Sequence, residues 1–114
     1  MLITTVALLK AKDGLSREAF VDYYENHHVP LVLSVAPPPV RYVRSYLPEC
    51  SVRGFAADFD VVTQLGFADE AARRAWLGLV LAEESGVAAD EARFLDRART
   101  RSWVVDERSS APLS

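Results

Sequence analysis

Cysteine occurs only once in the 114-residue chain, as Cys50, so no intrachain disulfide can form and a stapled, secreted fold is not expected. Histidine is almost as scarce: His27 and His28 are the only two. Positive charge is in deficit, with 13 Lys and Arg against 16 Asp and Glu, a net charge of −3. The nearest thing to a basic cluster, Arg93, Arg97, Arg99 and Arg101, is diluted by Glu91, Asp96 and Asp106, so nucleic acid is not an expected partner. No apolar run approaches the length of a membrane span, and the opening MLITTVALLKAK has no basic residue ahead of its apolar stretch, unlike a signal peptide. A cytoplasmic location without membrane association is the expectation. Glycine-rich phosphate loops and G-x-S-x-G are missing too, which excludes the mechanisms built on them.

What is present is the balance of a globular domain, half apolar and a quarter charged. A chain of this length buries roughly two thirds of its unfolded surface, enough for one core and one domain. Residues 2–9, LITTVALL, are apolar on both alternating faces and predict a strand covered on both sides. KDG at 12–14 is a turn, and Ser16 caps a helix with Glu18 at its positive end. Phe20, Tyr23, Tyr24, His27 and Leu31 follow helical spacing as one stripe. Pro30 lacks an N–H and crowds the carbonyl four residues back, so the helix is expected to stop or kink near His28. The rigid APPPV at 36–40 leads into a second strand over 40–47. A loop over 48–57 precedes a third strand over 58–67, with Phe59, Val61, Leu65 and Phe67 on one face. Asp69 caps a second helix that runs to Gly86, with Trp76, Leu77, Val80 and Leu81 as its buried stripe. A short helical turn over 90–96 and a last strand over 100–107 follow. The domain spans 1–108, and 109–114 form a tail expected to lack order. The order β-α-β-β-α-β is the ferredoxin-like, α+β pattern, a four-stranded antiparallel sheet with its helices on one face. Strand one is apolar on both faces, so the uncovered sheet face predicts a homodimer packed sheet to sheet.

The side chains with chemical capacity concentrate in two places. One is the helix end. Unpaired carbonyls there favour a protonated imidazole, and histidine is the side chain that changes charge near neutral pH, so a histidine here suits general acid-base work. A plain capping role suits it as well. Helical phase places His27 in the buried stripe and His28 at its edge, beside Tyr24 and facing a cleft. Adjacent helical residues diverge, so the pair is a poor metal site and no metal is expected. The other place is strand two, where Tyr42, Arg44 and Tyr46 share a face. These are either half-buried sheet residues or the lining of a pocket for an aromatic, oxygen-rich ligand. Arginine beneath packed helices would be unpaired at a cost of several kcal/mol, so this face is expected to line a wet barrel interior. Asp60 is either a solvated edge charge or a group that orients an imidazole. Cys50, with no base nearer than Arg53, reads as an inert thiol.

The run ALLKAKDGLSREAFVDYYENHHVPL, then RYVRSYL and the closing DEARFLDRARTRSWVVDE, resembles the EthD domain family over positions 2–107. Its most specific part runs from Gly14 through Ser16, Phe20 and Tyr24 to His28, Val29, Pro30 and Leu31. The resemblance implies a dimeric α/β barrel, with the recurrent histidine at His28 and a strand-two tyrosine at Tyr42. Related proteins include dehydratases and cyclases of aromatic polyketide pathways, lactone isomerases, cofactor-free oxygenases and haem proteins. The expected function is a cofactor-independent lyase or isomerase acting on a hydroxylated aromatic or polyketide-like small molecule. His28 and Tyr42 would be catalytic, and Tyr24, His27, Arg44, Tyr46, Asp60 and Trp103 would bind the substrate. The alternatives are a non-catalytic binding or accessory protein of a degradative pathway, and a haem enzyme with a histidine axial ligand. The triple proline 37–39 and the segment 48–57 depart from the pattern and would shape substrate choice.

Overall fold

The computed structural model describes residues 2–48 and 57–110. Cys50 and nearly all of the expected 48–57 loop, together with most of the expected tail, lie outside the described residues. The elements are β1 (Ile3–Leu9), α1 (Arg17–Tyr23), a π turn (Tyr24–His28), α2 (Val29–Val35), β2 (Arg41–Tyr46), β3 (Val61–Phe67), α3 (Glu70–Val80), α4 (Val87–Phe94) and β4 (Arg101–Val105). The strands form one antiparallel sheet in the order β2-β3-β1-β4, the ferredoxin-like arrangement expected from the sequence. Both predicted caps are made. Ser16 Oγ accepts from the Ala19 N–H at 3.1 Å, and Asp69 Oδ1 accepts from the Ala72 N–H at 2.8 Å.

Register fixes which side chains meet. Ala7 pairs with Thr63 and Thr63 with Arg44, while Leu9 pairs with Val61 and Val61 with Tyr46. With a period of two, Ala7, Leu9, Val61, Thr63, Leu65, Tyr42, Arg44 and Tyr46 all face the helices. The main core forms where Leu9 and Val61 meet Phe20, Tyr24, Val29, Phe94 and Leu95. Phe20 and Phe94 are sealed, with ring centroids 5.8 Å apart. The opposite sheet face carries Val6, Leu8, Val43, Val62 and Trp103, and among the described residues no helix covers it. Trp103 leaves 52% of its surface exposed there.

The helix around His28 departs from expectation. It does not stop at Pro30, but widens into a π turn and continues for seven residues as α2. The Val29 N–H reaches back five residues to the Tyr24 carbonyl. Pro30 falls in the first turn of α2, where its missing donor is tolerated, and the wider turn relieves its ring of the carbonyl four residues back. The turn also corrects the histidine assignment. A π turn inserts one residue into the helical repeat, so His28 takes the angular place that an unbroken helix would give His27. His28 is buried, 5% exposed, and it is His27 that faces outward, stacked on Tyr23 with centroids 5.0 Å apart.

The segment after α3 differs as well. The predicted second helix ends at Val80, a 3₁₀ turn covers Glu83–Ser85, and Gly86 at φ 77° starts a new helix. The expected short turn over 90–96 is thus the end of an eight-residue helix, α4.

Candidate functional site

The π turn delivers His28 to α4. Its Nδ1 lies 2.8 Å from Asp90 Oδ2, and the Tyr23 hydroxyl donates to Asp90 Oδ1 at 2.6 Å. Asp90 is itself buried, 6% exposed. Burial opposes its ionisation. The hydrogen bonds from Tyr23 and His28, aided by nearby positive charge that includes Arg93, outweigh burial and hold the carboxyl below the usual carboxylate range. A carboxylate only accepts, so Nδ1 is the protonated nitrogen and Nε2 is left as the basic one. Phe94, at 4.8 Å between centroids, and Tyr24, edge-on at 5.7 Å, fix the plane of the ring.

A cavity of about 110 Å³ opens on this imidazole, between sheet and helices. Its polar lining is Tyr24, His28, Tyr42, Thr63 and Glu91; Leu9, Val32, Leu65 and Val80 belong to its apolar walls. The Tyr24 hydroxyl lies 2.8 Å from Thr63 Oγ1 and 3.3 Å from the Tyr42 hydroxyl. Desolvation raises the pKa of both phenols, so they stand in the cavity as neutral donors. Burial also pushes the Glu91 carboxyl upward, partly offset by its basic neighbours His28 and Arg97. The arrangement holds one oriented base, two phenolic donors and one carboxyl around a single small volume. That set is able to move a proton and to stabilise an oxyanion.

The cavity brings together His28, Tyr42 and Tyr24 among the residues singled out from sequence. It does not bring in the others. Arg44 lies under the helix, not in an open barrel interior, and it is not unpaired. Its Nη2 and Nε donate to Glu25 at 2.6 and 2.9 Å, and its guanidinium stacks 4.7 Å above the Tyr42 ring. Tyr46 donates to the same carboxylate at 2.5 Å. Arg44 thereby keeps Glu25 below the usual carboxylate range. This triad braces Tyr42 from behind and stays outside the cavity. Asp60 sits beyond the far end of the sheet, accepting from the Ala11 N–H at 2.6 Å with Lys10 at 3.6 Å, so it orients no imidazole. Trp103 pairs with Val6 on the open sheet face and His27 faces outward, so neither lines the cavity.

Four residues that sequence reasoning missed are Asp90, Glu91, Thr63 and Glu25. Asp90 had a legible signal, since Val87, Asp90 and Phe94 follow helical spacing and the middle one is a charge in a buried stripe. Glu25 had none, because its partner Arg44 lies 19 residues away on another layer.

No curated protein matches the chain. Among solved structures, an EthD family protein from Bacillus halodurans superposes with a TM-score of 0.71 at 18% identity, covering 95% of this chain and all of that one. An EthD-like protein from Ralstonia eutropha gives 0.64 at 19% identity, covering 95% and 96%. A dimeric ferredoxin-like protein of unknown function from Thermobifida fusca gives 0.61 at 14%, covering 92% of each chain. At these identities the likenesses establish the fold. The sequence model of the EthD domain matches residues 12–98, most of the chain, and the protein belongs to the EthD domain family.

Proposed function

We propose that this protein is a cofactor-independent lyase or isomerase, of dehydratase or cyclase type, acting on a hydroxylated aromatic or polyketide-like small molecule. The observation that carries this reading is the buried Asp90 at 2.8 Å from His28 Nδ1, which fixes the ring with its basic nitrogen free. The same cavity presents the Tyr24 and Tyr42 phenols. Nε2 takes a proton from a carbon beside a substrate carbonyl, and Tyr42 donates a hydrogen bond to the oxygen on which enolate charge develops. Return of the proton from Nε2 to another carbon gives isomerisation, and its delivery to a β-hydroxyl, which leaves as water while the C–C double bond forms, gives dehydration. Neither step calls for a redox group.

A homodimer is predicted as well, since the open sheet face exposes Val43 and Trp103 and a ferredoxin-like protein of similar fold is dimeric.

The test is hydrogen exchange at carbon. A hydroxyaryl ketone is incubated with the protein in D2O, and its α-protons are followed by NMR. Exchange faster than in buffer is expected, abolished by His28→Ala and slowed by Tyr42→Phe. Binding without exchange across a panel of such ketones would overturn the catalytic reading in favour of a binding or accessory role.

A further inference from the structure

Helix α4 brings a second carboxyl to the His28 cavity. Val87, Glu91 and Leu95 recur every four residues along α4 and its C-terminal cap, and all three belong to the cavity lining. Val87 is 2% exposed and Leu95 5%, so Glu91 sits in the middle of a buried apolar stripe. Asp90, one residue earlier and about 100° round the helix, uses both oxygens on His28 and Tyr23. Glu91 differs. Among the described residues no donor bonds to it, and its surroundings act on it through burial and through neighbouring charge alone. Its oxygens are not among the polar atoms sealed from solvent without a partner, which are Gln64 Oε1, Arg73 Nε and Trp76 Nε1. The cavity's other polar groups are engaged: the Tyr24 hydroxyl with Thr63 and Tyr42, and His28 Nδ1 with Asp90. Glu91 is thus a free acceptor beside the imidazole. It also stands where this cavity joins an outer one of about 300 Å³ between α3 and the sheet.

We infer that Glu91 is a substrate-binding residue that accepts a hydrogen bond from a β-hydroxyl of the ligand and holds it beside His28 Nε2, which makes a β-hydroxy ketone the substrate class and dehydration the reaction. The inference rests on the reading of His28 as the base and adds the group that reads the hydroxyl. An acceptor set in an apolar wall is satisfied by a donor; a hydroxyl brings one, and a ketone, an ether or a methylene does not. A carboxyl accepts in either protonation state, so the upward displacement of Glu91 by burial leaves this role intact. Glu91 and His28 line one volume of about 110 Å³, so a group held by the first lies within a small molecule's reach of the second. An organic ammonium would donate too, but Arg97 is already near Glu91 and Arg73 lines the adjoining cavity, so it would meet like charge. The hydroxyl turns its own proton to Glu91 and keeps its lone pairs for the proton that Nε2 took from the α-carbon. The C–O bond then breaks, its electrons leave with water, and the former C–H electrons form the C–C double bond.

The experiment titrates the full chain with pivalophenone and with β-hydroxypivalophenone, which differ by one hydroxyl β to the carbonyl. Neither carries an α-proton, so affinity is measured without turnover. The hydroxy ketone is expected to bind about fivefold tighter, the usual net worth of one hydrogen bond. Glu91→Leu is expected to bring the two ligands to equal affinity. Glu91→Gln, which retains an oxygen acceptor, is expected to keep the preference, a rescue that a merely structural role does not give. Failure of both ketones to bind, equal affinity in the parent chain, a preference that survives Glu91→Leu, or its loss in Glu91→Gln would each overturn the inference. The α-proton exchange of a hydroxyaryl ketone keeps the two readings apart. Exchange that depends on His28, without a hydroxyl preference, leaves the base standing and removes the role of Glu91. A hydroxyl preference without exchange removes the catalytic reading and leaves Glu91 as the residue that reads the hydroxyl.

Discussion

At the scale of single residues, Asp90 decides what His28 is able to do. A histidine at a helix end has two nitrogens and two tautomers, and nothing local chooses between them. The buried carboxylate at 2.8 Å chooses, and Tyr23 on its other oxygen keeps it ionised. Asp90→Asn should therefore slow α-proton exchange and lower stability by about 1–3 kcal/mol at pH 7, the usual cost of mispairing buried polar groups. The pH dependence has a definite sign. Asp90 has a depressed pKa in the fold, so its contribution is present above the unfolded carboxylate range and fades as pH falls through the folded value. Denaturant melts of parent and variant should converge in acid. A stability gap that persists unchanged at low pH would contradict this role. Tyr24, His28 and Tyr42 were legible as site residues because aromatic and imidazole side chains on adjoining elements are few in this chain. Asp90 was obscured because DEARFLD reads as a short turn when the helix start at Val87 goes unrecognised.

At the scale of elements, the π turn matters most. Helical periodicity at 3.6 residues per turn placed His27 inside and His28 at the edge, and an ideal helix would have obeyed it. One widened turn, set where Pro30 disrupts regular hydrogen bonding, reverses the pair. Sequence patterns carry no marker for such a turn, since its cause is relief of a single steric clash and its benefit is a contact with α4. Strand faces were easier to read, because a period of two leaves little freedom. The layer is the exception there: an arginine on that face is expected to need water, and its salt bridge to Glu25 depends on a neighbour invisible in sequence. Helix α4 yields a second pH signature. Its neighbouring carboxyls, Asp90 and Glu91, are shifted in opposite directions. Glu91 is raised in the fold, so its ionisation opposes folding above the unfolded carboxylate range. Glu91→Gln should raise the melting temperature at pH 7, with the gain vanishing as pH falls below about 4, the ordinary range of a free glutamate. A loss of stability at pH 7 would show that the ionised form is favoured by a partner.

For the whole molecule, the two sheet faces divide the labour. The helix-covered face holds the core and both cavities; the open face holds Val6, Leu8, Val43, Val62 and Trp103 with Gln64 among them. The β-α-β-β-α-β order and the apolar first strand made this division legible, and the strand order agrees in full. Where the cavity would open was not legible, because it depends on how closely helices seat on the sheet. An exposed apolar face of this kind predicts association through it. Sedimentation should give about twice the 12.6 kDa chain mass, and Val43→Lys combined with Trp103→Lys should yield a folded monomer. A parent chain that is monomeric at micromolar concentration would contradict the assignment of that face.

The tautomer of His28 is the most direct test of the proposed site. Long-range proton–nitrogen NMR on the His27→Ala chain, which retains a single imidazole, distinguishes the two ring nitrogens at neutral pH. The proton is expected on Nδ1, with a basic Nε2 whose signal moves when a phenolic ligand binds and whose Nδ1 preference weakens in Asp90→Asn. A proton resident on Nε2 in the parent, unmoved by Asp90→Asn, would contradict a base oriented by Asp90 toward the cavity.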